Sequence, residues 1–567
     1  MRCSALRWAR QPQRGHAHLK ALKVNRRTEI VRLSHSSPVR LLPMATAAAE
    51  SYGAAWCAIG SFGGGLLGGD DLSVAVEVGP AAYVSLTTQA STKVYHAKQD
   101  GRAAVQRLDA VVEDGGLLVV APDPLVPFAN STYVQSMKFT LLGNFENRST
   151  SSAIVVDWLS AGRIASGERW AFNEYQSRFE FIWKQHDAKT RRLVESLSVT
   201  SADFQHMSGF DAAVTIFATG PLAEKVECEL KKTAHFLGAR SGVRVRAQAE
   251  TDSPDQCNLS LSGKAIMGVT SDGTCTVARL MAEKTEDIYR ILHRCLSPLQ
   301  AHLGVEPYSD RVHGSERVSA VHSLEKNVSR SEERLPRKEA DARDTSLSMR
   351  QHFRLCQLSD ATLPVGGFAH SNGIEAASQM GLLSKWEGDV DSLRHFIYIG
   401  ALSMLRLQGC FVKAAHKVDS LDEWKELDED LDAHLAANGV ASRASLQQGH
   451  GLIRVGRHWC AETESPWPKS GHYATVFGLA AARLGLPADV ALQGFAYCTV
   501  RDSVSAAVRL NLVGPLQAVS MQSSILEQLE EKVAELHSKQ PVPAGCAPLL
   551  DCVHSGHDLL EARLFLT

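Results

Sequence analysis

A polar segment, residues 309–346, separates two stretches of the sequence that have different hydrophobic periods. The segment carries charges of both signs and almost no large apolar side chains, so it cannot bury enough surface to fold alone. As a coil of about 38 residues it would span roughly 30–37 Å. The sequence therefore predicts a charged flexible linker between two folded halves, residues 28–308 and residues 347–567.

The first half has the period of β-strands. Val74, Val76 and Val78 alternate with smaller or polar residues, which is the pattern of a half-buried strand. Two strand-like stretches flank residues 113–116, whose sequence EDGG is typical of a β-hairpin turn. One amphipathic helix is expected at residues 285–296. We expect residues 28–308 to form a β-rich scaffold of stacked or helically wound sheets with few helices.

The second half has the period of α-helices. Its apolar residues recur every three to four positions, and no strand-like alternation competes. Ser420 and Glu423 have the spacing of a capping box, so a helix is expected to begin there. The sequence thus predicts an all-α second half, with helical stretches at residues 393–411, 420–435, 472–484, 490–510 and 525–536.

Composition excludes several classes of partner. The formal charge of −2 gives no basis for binding nucleic acid or an anionic membrane surface. No apolar run in the sequence reaches the length of a membrane span. The 12 cysteines occur singly and form no CxxC pair, which favours a reducing compartment, the cytoplasm.

The basic N-terminal extension, residues 1–27, raises the alternative that the protein is located in an organelle. Residues 1–43 contain many arginines and one acidic residue, Glu29, a composition that resembles an organelle transit peptide. The alternative is a basic strand region, because residues 28–42 have the pattern of a strand. The location is therefore cytoplasmic, or an organelle if residues 1–43 are a transit peptide.

Common catalytic motifs are missing from the sequence. It contains no GxxxxGK[ST] loop, no HExxH and no GxSxG, so we expect neither a bound nucleotide nor enzyme activity. Its glycine-rich stretches predict tight turns with left-handed backbone positions instead. The turn residues of the first half are Gly64, Gly65, Gly68 and Gly69, and those of the second half are Pro364, Gly366 and Gly367.

An ordered series of motifs in the first half resembles the urease accessory protein family UreD, also called UreH. The series begins with SFGGGLLGGD at residues 61–70 and TTQASTKVY at residues 87–95. It continues with PDPLVPF at residues 122–128 and DWLSAGR at residues 157–163, and further motifs follow in the family's order up to residue 180.

The second half resembles the UreF family of urease accessory proteins. Residues 355–375, LCQLSDATLPVGGFAHSNGIE, are similar to the opening signature of that family. Residues 505–515, SAAVRLNLVGP, match its C-terminal helices in the form typical of eukaryotes, and residues 557–565, HDLLEARLF, match its tail. The chain therefore resembles a fusion of two proteins that work as a complex.

The resemblance implies a function in nickel delivery. It implies a scaffold that recruits a nickel-carrying, UreG-like GTPase and delivers nickel, bound only transiently, to apo-urease. It further implies contact between the UreD-like and UreF-like halves and a homodimer formed through the UreF-like half. Two alternatives remain: an adaptor that never contacts nickel, and a metal-dependent enzyme built on carboxylates of the β-rich half.

Matching the UreD pattern gives four candidate residues for a nickel path, which are Asp70, Thr92, Asp157 and Glu195. Carboxylates exchange nickel more readily than clustered thiolates or imidazoles, as a transit route requires. Each carboxylate also has a structural interpretation. Asp70 would cap the glycine turn, Asp157 would pair with Arg163 or Arg178, and Glu195 would form a surface ion pair with Arg191 or Arg192.

Three residues of the UreF-like half are candidates for partner binding. The resemblance implies that Arg509 contacts or controls the GTPase, whereas its structural interpretation is an exposed cation near a helix end. Leu564 and Phe565 belong to an amphipathic tail that needs a partner surface. We expect this tail to dock against the UreD-like half.

Overall fold

The computed structural model describes residues 14–44, 53–97, 101–143, 150–184, 190–204, 209–241, 259–315, 347–383, 390–459, 466–538 and 542–567. Strands dominate the described residues of the first half, as the alternating apolar pattern predicts. In chain order they are β1 (Arg14–Val24), β2 (Arg27–His35), β3 (Val39–Met44), β4 (Ala55–Ser61), β5 (Asp71–Val78), β6 (Tyr83–Thr88), β7 (Thr92–Val94), β8 (Ala104–Val112), β9 (Leu117–Val120), β10 (Leu125–Pro127), β11 (Thr132–Leu142), β12 (Ser152–Ser160), β13 (Glu174–Lys184), β14 (Thr190–Thr200), β15 (Ala212–Thr219), β16 (Ala265–Ser271) and β17 (Cys275–Ala282).

These strands form two stacked sheets. The first sheet has the order β14-β13-β11-β8-β5-β1-β2, and the second has the order β16-β17-β15-β12-β9-β6-β4-β3, with β10 and β7 beside β12. From β4 to β13 the chain passes repeatedly from one sheet to the other, so that neighbouring strands in the middle of each sheet are parallel. The predicted architecture of stacked, helically wound sheets is confirmed.

The space between the sheets is filled with apolar side chains. Val74, Val76 and Val78 of β5 point into it, while the residues between them are half-buried, as the period-two pattern predicts. The outer face of the second sheet is covered by helices α2 (Glu224–Arg240) and α3 (Thr285–Leu296), after a short helix α1 (Ser201–Phe204). The predicted helix at residues 285–296 is confirmed.

Two expectations about connections are wrong. Residues 113–116 do not form a hairpin, because β8 lies in the first sheet and β9 in the second. The turn therefore carries the chain from one sheet to the other. The predicted N-terminal extension, residues 1–27, contains β1, which pairs with β2 and β5 in the first sheet, so the folded domain begins before residue 28.

The predicted linker also begins too early. Helices α4 (Gln300–Leu303) and α5 (Ser309–Ser315) continue the first half, and α5 packs against α3. The Tyr308 hydroxyl donates to the carbonyl oxygen of Pro122 at 2.7 Å, which fixes the start of α5 on the β-rich domain. Residues 316–346, the rest of the predicted linker, lie outside the described residues.

The described residues of the second half are helical, as predicted. Ser420 caps its helix, since the side-chain oxygen accepts from the Glu423 amide at 3.2 Å. The helices are α6 (Met349–Leu358), α7 (Ile374–Gln379), α8 (Val390–Ala415), α9 (Leu421–Leu435), α10 (Gly439–Trp459), α11 (Tyr473–Arg483), α12 (Ala488–Arg509), α13 (Pro515–Ser538) and α14 (Pro548–Ser555).

Helix α11 is the centre of the helical half. Nine of its 11 residues are buried, and it packs against α8, α10 and α12. Among the helices described, α8 alone is long and apolar enough to cross a membrane by length and composition, with half of its apolar window buried. By this measure, the expectation that no segment reaches the length of a membrane span is wrong for α8. Core helices of globular proteins meet the same criterion.

Candidate functional site

The two halves are in direct contact along one edge of the β-rich domain. Strand β14 is the edge strand of the first sheet, and Gly545 pairs with it like an added strand residue. The Gly545 amide donates to the carbonyl oxygen of Ser196, and the Ser198 amide donates to the carbonyl oxygen of Gly545, both at 2.9 Å. The helical half thus satisfies backbone groups that a free edge would expose.

Helix α14 closes the same edge against the second sheet. It lies across β16 and β17, and Gly268 of β16 makes the close approach possible. A Cβ atom at Gly268 would lie 2.1 Å from the carbonyl oxygen of Cys552 and 2.7 Å from the amide nitrogen of Gly556. Both are backbone atoms, so a larger side chain would force the helix away from the sheet.

A small cavity with a mixed polar and apolar lining lies where α14 meets the two sheets. Its volume is about 40 Å³, which is enough for a water molecule or a small ion. Most of its walls come from the β-rich half, and the helical half contributes the α14 side. The charged side chains that line the cavity are Asp157, Glu195, Arg279 and Asp551.

Asp157 projects from β12 into the space between the sheets. Its carboxylate accepts hydrogen bonds from Gln135 Nε2 at 2.8 Å, the Tyr175 hydroxyl at 3.3 Å and Ser177 Oγ at 3.4 Å. Burial raises the pKa of Asp157 to about 6, although these hydrogen bonds act in the opposite direction. A larger fraction of this carboxyl group is therefore protonated near neutral pH than of a solvent-exposed aspartate.

Glu195 projects from β14 and pairs with Arg279 of β17. Arg279 Nη2 donates to Glu195 Oε1 at 2.8 Å, while Arg279 Nη1 donates to the carbonyl oxygen of Ala437 at 2.9 Å and to Ser555 Oγ at 3.0 Å. Both of the latter acceptors belong to the helical half. One guanidinium group therefore connects both sheets to the helical half.

Asp551 is the carboxylate that the helical half contributes to the cavity. Burial raises its pKa to about 7, and the negative charge of Glu195 acts in the same direction, while Arg279 acts against it. The sequence motifs identified neither Asp551 nor Arg279. A usable signal was present for Arg279, because it is the one charged residue in CTVARLMA, a strand whose residues are all buried.

The structure therefore brings Asp157 and Glu195 to one cavity. The structural interpretations offered for them are wrong: Arg163 pairs with Glu168 rather than Asp157, and Arg178 donates to Ser196 at 3.2 Å. Glu195 pairs with the buried Arg279, not with a surface arginine of its own strand.

Asp70 and Thr92 lie elsewhere. Asp70 is fully buried, and its carboxylate accepts from the Leu67 amide at 2.9 Å, so it caps the glycine-rich turn as its structural interpretation predicts. Thr92 begins β7, and its amide donates to the carbonyl oxygen of Pro124 at 3.0 Å. Neither residue lines the cavity that contains Asp157 and Glu195.

The predicted glycine turns have the geometry that glycine allows. Gly64 and Gly69 have φ angles of +74° and +91°, and Gly366 has a φ angle of +88°. Three further glycines are required by close contacts. A Cβ atom would meet the Tyr95 ring at Gly65, the carbonyl oxygen of Arg102 at Gly68 and the Asp502 carboxylate at Gly367. Pro364 precedes this second turn, which lies against α12.

The three predicted partner-binding residues lie together on one surface of the helical half. The Arg509 guanidinium stacks on the Phe368 ring at 3.8 Å and on the Phe565 ring at 4.3 Å. Phe565 is 4% exposed, whereas Phe368 and Leu564 are 61% and 57% exposed. We call the group Phe368, Arg509, Leu564 and Phe565 the tail surface. Arg509 is thus a packed residue and not an isolated cation.

The tail itself docks mainly against the helical half, so the expectation that it docks on the UreD-like half is largely wrong. The Ser371 amide donates to the carbonyl oxygen of Thr567 at 2.8 Å, and the Glu375 carboxylate accepts from the amides of Leu564 and Phe565 at 2.6 and 3.2 Å. Among the described residues of the tail, Leu559 packs against the helix-covered core of the first half, and the turn His557–Leu559 contacts β16. The backbone of the tail therefore hydrogen-bonds both to the turn that precedes α7 and to side chains of α7 itself.

No three His, Cys, Asp or Glu residues are grouped so that they could hold a metal ion, within the residues that the structure describes. The cavity carboxylates are each engaged with a hydrogen-bond donor or with Arg279. Their chemistry suits brief contact with a cation better than a permanent metal site.

Comparison with known families agrees with the division into two halves. The family model of the UreD urease accessory protein matches residues 13–314, and the UreF family model matches residues 388–526. Urease accessory protein UreD of Sorangium cellulosum is 41% identical over 216 residues, which are 37% of this chain and 62% of that protein.

Two rice proteins match the two halves separately. Urease accessory protein D of Oryza sativa subsp. indica is 30% identical over 297 residues, which are 50% of this chain and 92% of the relative. Urease accessory protein F of the same plant is 35% identical over 233 residues, which are 39% of this chain and 87% of the relative. The chain therefore belongs to the UreD family of urease accessory proteins through its first half and to the UreF family through its second, as a fusion of the two.

Proposed function

We propose that this protein is a non-enzymatic scaffold and metallochaperone for urease. It recruits a UreG-like, nickel-carrying GTPase and delivers nickel to apo-urease. The cavity lined by Asp157, Glu195 and Asp551 is the observation that supports nickel transfer, because it brings carboxylate oxygens to the contact between the halves without grouping them into a site that could hold the ion. Oxygen ligands of this kind release divalent cations more easily than thiolates or imidazoles do.

The tail surface is the proposed docking site for the GTPase. It exposes the aromatic ring of Phe368 beside the guanidinium of Arg509, and both residue types are enriched at protein interfaces. The exposed side chain of Leu564 adds apolar area to the same surface. The chain lacks a phosphate-binding loop, so nucleotide hydrolysis has to come from the partner. A homodimer through the UreF-like half and a cytoplasmic location complete the proposal.

Co-expression with apo-urease and the GTPase tests the proposal. We expect the double variant Asp157→Asn, Glu195→Gln to lower nickel-dependent urease activation by at least about tenfold, because both changes remove a carboxylate but keep a hydrogen-bonding amide. The matched control is Glu77→Gln, which removes a strand carboxylate that pairs with Lys20 outside the cavity. Urease activity per mole of purified complex is the measurement.

The outcomes separate the alternatives. If the double variant still forms the complex but fails to activate urease, nickel transfer through the cavity is supported. If activation equals that of Glu77→Gln, the protein is an adaptor that does not contact nickel. Substrate turnover by the purified chain without urease would instead identify a metal-dependent enzyme.

A further inference from the structure

Three buried histidines meet where the C-terminal tail, α7 and α14 come together. His370 lies in the turn before α7, His554 lies in the last turn of α14, and His557 begins the tail. Their exposed fractions are 2%, 7% and 0%. We call this group the histidine cluster. Neither the nickel path nor the tail surface uses these side chains, so the proposed function does not explain why they are buried together.

Two of the histidines fix the two ends of the tail. His370 Nδ1 and Thr567 Oγ1 are 2.6 Å apart, which holds the last residue of the tail. His557 Nε2 lies 3.2 Å from Glu375 Oε2 of α7, which holds the first residue of the tail. A change in the charge of either ring therefore acts directly on the docking of the tail.

His554 connects the histidine cluster to the contact between the halves. A Cβ atom at Gly373, just before α7, would lie 3.5 Å from His554 Cβ, so the two elements touch at this side chain. Helix α14 packs on β16 and β17 as well as on α7, and the turn that follows it also contacts β16. Displacing His554 would therefore disturb the docking of α14 together with the tail.

The surroundings of the rings suit neutral imidazoles. His554 Nε2 and His557 Nδ1 have no hydrogen-bond partner among the described residues. A neutral ring tolerates this more easily, because one of its nitrogens is an acceptor, whereas a protonated ring would bury a charged N–H donor without an acceptor. Burial lowers the pKa of His370 to about 4 and that of His554 to about 3, with repulsion from His557 as the second cause.

The groups around His554 would not stabilise a positive charge. Arg279 of β17 and Arg443 of α10 both act to lower its pKa further. The cavity of about 40 Å³ beside it has a mainly apolar lining, and no acidic residue is among the described residues that line it. Arg509 of the tail surface adds a further cation beside the turn that contains His370.

Anions on the neighbouring elements are already engaged. Glu375 accepts from His557 and from two tail amides. The other carboxylates each lie next to a cation: Asp551 next to Arg279, Asp558 next to Arg443 and Arg563, and Asp502 next to Arg501. A proton added to His370 or His554 in the docked state therefore finds no free counter-ion among these groups.

Release of the tail reverses this situation. In water each ring would titrate near 6.5, the ordinary value for histidine. Release thus takes up one proton at His370 and one at His554, and it becomes more favourable as the pH falls. The stabilisation of the docked state is fully present above pH 6.5 and is lost as the pH falls from 6.5 toward about 4.

We propose that the histidine cluster is an acid-operated latch, which holds the tail and the end of α14 as one unit while its rings are neutral and releases both together by taking up two protons. The latch does not depend on the proposed function, but its consequence for the GTPase rests on it. Because release would remove Leu564 and Phe565 from the tail surface, docking of the GTPase there would be lost in acid.

Hydrogen exchange of the unmodified full chain between about pH 6.5 and about pH 5.5 tests the latch, after correction for intrinsic exchange. The amides of Leu564 and Phe565 report on the tail, and those of Gly556 and Leu560 report on the end of α14. Uptake of two protons predicts an opening constant that rises about thirtyfold over this interval, whereas one proton predicts about sixfold. A rise of about sixfold or less at the tail amides, or an unchanged rate at Gly556 and Leu560, overturns the proposal.

Variants identify the groups that take up the two protons. His370→Gln and His554→Gln each remove one titrating ring but keep a polar side chain, so each should reduce the rise to about sixfold, and the double variant should show almost none. Loss of packing alone would raise exchange at every pH without changing this dependence. The matched control His458→Gln removes an exposed histidine of α10 and should retain the full rise. A full rise in the double variant overturns the assignment to these rings.

The exchange measurement needs neither nickel nor the GTPase, so failure of the latch is distinguishable from failure of the proposed function. If the two-proton response is observed but the GTPase does not bind the tail surface at neutral pH, the latch stands and the docking proposal is wrong. If the GTPase binds there and the tail does not respond to acid, only the latch is overturned.

Discussion

Replacing Gly268 by valine is expected to separate α14 from the β-rich domain. The new Cβ atom would lie 2.1 Å from the carbonyl oxygen of Cys552 and 2.7 Å from the Gly556 amide nitrogen. Because both obstacles are backbone atoms, rotation of a side chain cannot relieve the overlap. Overpacking of this kind costs about 1–3 kcal/mol, which corresponds to a docking equilibrium weakened about fivefold to 150-fold.

Hydrogen exchange in α14 measures this loss, and nickel-dependent urease activation should fall with it. The matched control is Gly60→Ala in β4 of the same sheet, where a Cβ atom meets only the end of the Gln89 side chain at 3.4 Å. Gly60→Ala is expected to leave exchange in α14 unchanged. Equal protection of α14 in Gly268→Val and in the unmodified chain would show that the close contact between β16 and α14 does not exist.

Replacing Glu375 by alanine is expected to release the C-terminal tail. The carboxylate of Glu375 accepts from the amides of Leu564 and Phe565 and from His557 Nε2 at 3.2 Å, and the last two of these bonds are buried. Loss of a buried partner that satisfies several donors costs about 3–5 kcal/mol. Exchange protection of the Leu564 and Phe565 amides should disappear, and Arg509 should lose its stacking on Phe565.

A neighbouring acid provides the control for this experiment. Glu561 is exposed and lies in the same tail, so Glu561→Ala should leave the protection of both amides intact. If Glu375→Ala also leaves it intact, the tail is held by the apolar contacts of Leu560 and Phe565 and not by the carboxylate.

The same region should respond to acid. Burial lowers the pKa of His370 to about 4, with repulsion from His557 as a second cause, whereas an unfolded histidine titrates near 6.5. The docked state therefore favours neutral His370. The contribution of neutral His370 to the stability of the docked tail is fully present above pH 6.5. It is lost as the pH falls from 6.5 to about 4.

Glu375 adds a second acid-sensitive contact to the tail. Although burial acts to raise the pKa of Glu375, the hydrogen bonds from His557 and the two tail amides lower it overall. The contribution of ionised Glu375 to the stability of the docked tail is therefore present above the ordinary glutamate pKa and is lost below it. Protection of the tail amides, corrected for intrinsic exchange, should fall progressively below pH 6.5.

Local patterns in the sequence were enough to predict most of the elements. The alternation at Val74, Val76 and Val78 and the cap at Ser420 identify a strand and a helix start because both signals depend on neighbouring residues only. The order in which the chain passes from one sheet to the other was not predictable from such local patterns. Residues 113–116 have the sequence of a hairpin turn, but the turn connects two sheets, and strand partners are set by distant residues.

In the candidate site, too, local sequence patterns identified some residues, whereas the contacts between distant residues were not predictable. Asp157 and Glu195 came from family motifs, and their cavity forms only when β12, β14, β17 and α14 meet. Arg279 and Asp551 carry no motif, and their roles depend on contacts between residues more than 80 positions apart. Asp70 came from the same motifs, and its carboxylate caps the adjacent turn, outside the cavity of Asp157 and Glu195.

The central claim is that the two halves bind each other through direct contacts and do not depend on the covalent connection between them. Cutting the purified chain at a protease site inserted within residues 316–346, followed by size-exclusion chromatography in physiological salt, tests it most directly. The account predicts that both fragments elute together as one complex. Two fragments that elute separately at micromolar concentration would contradict it.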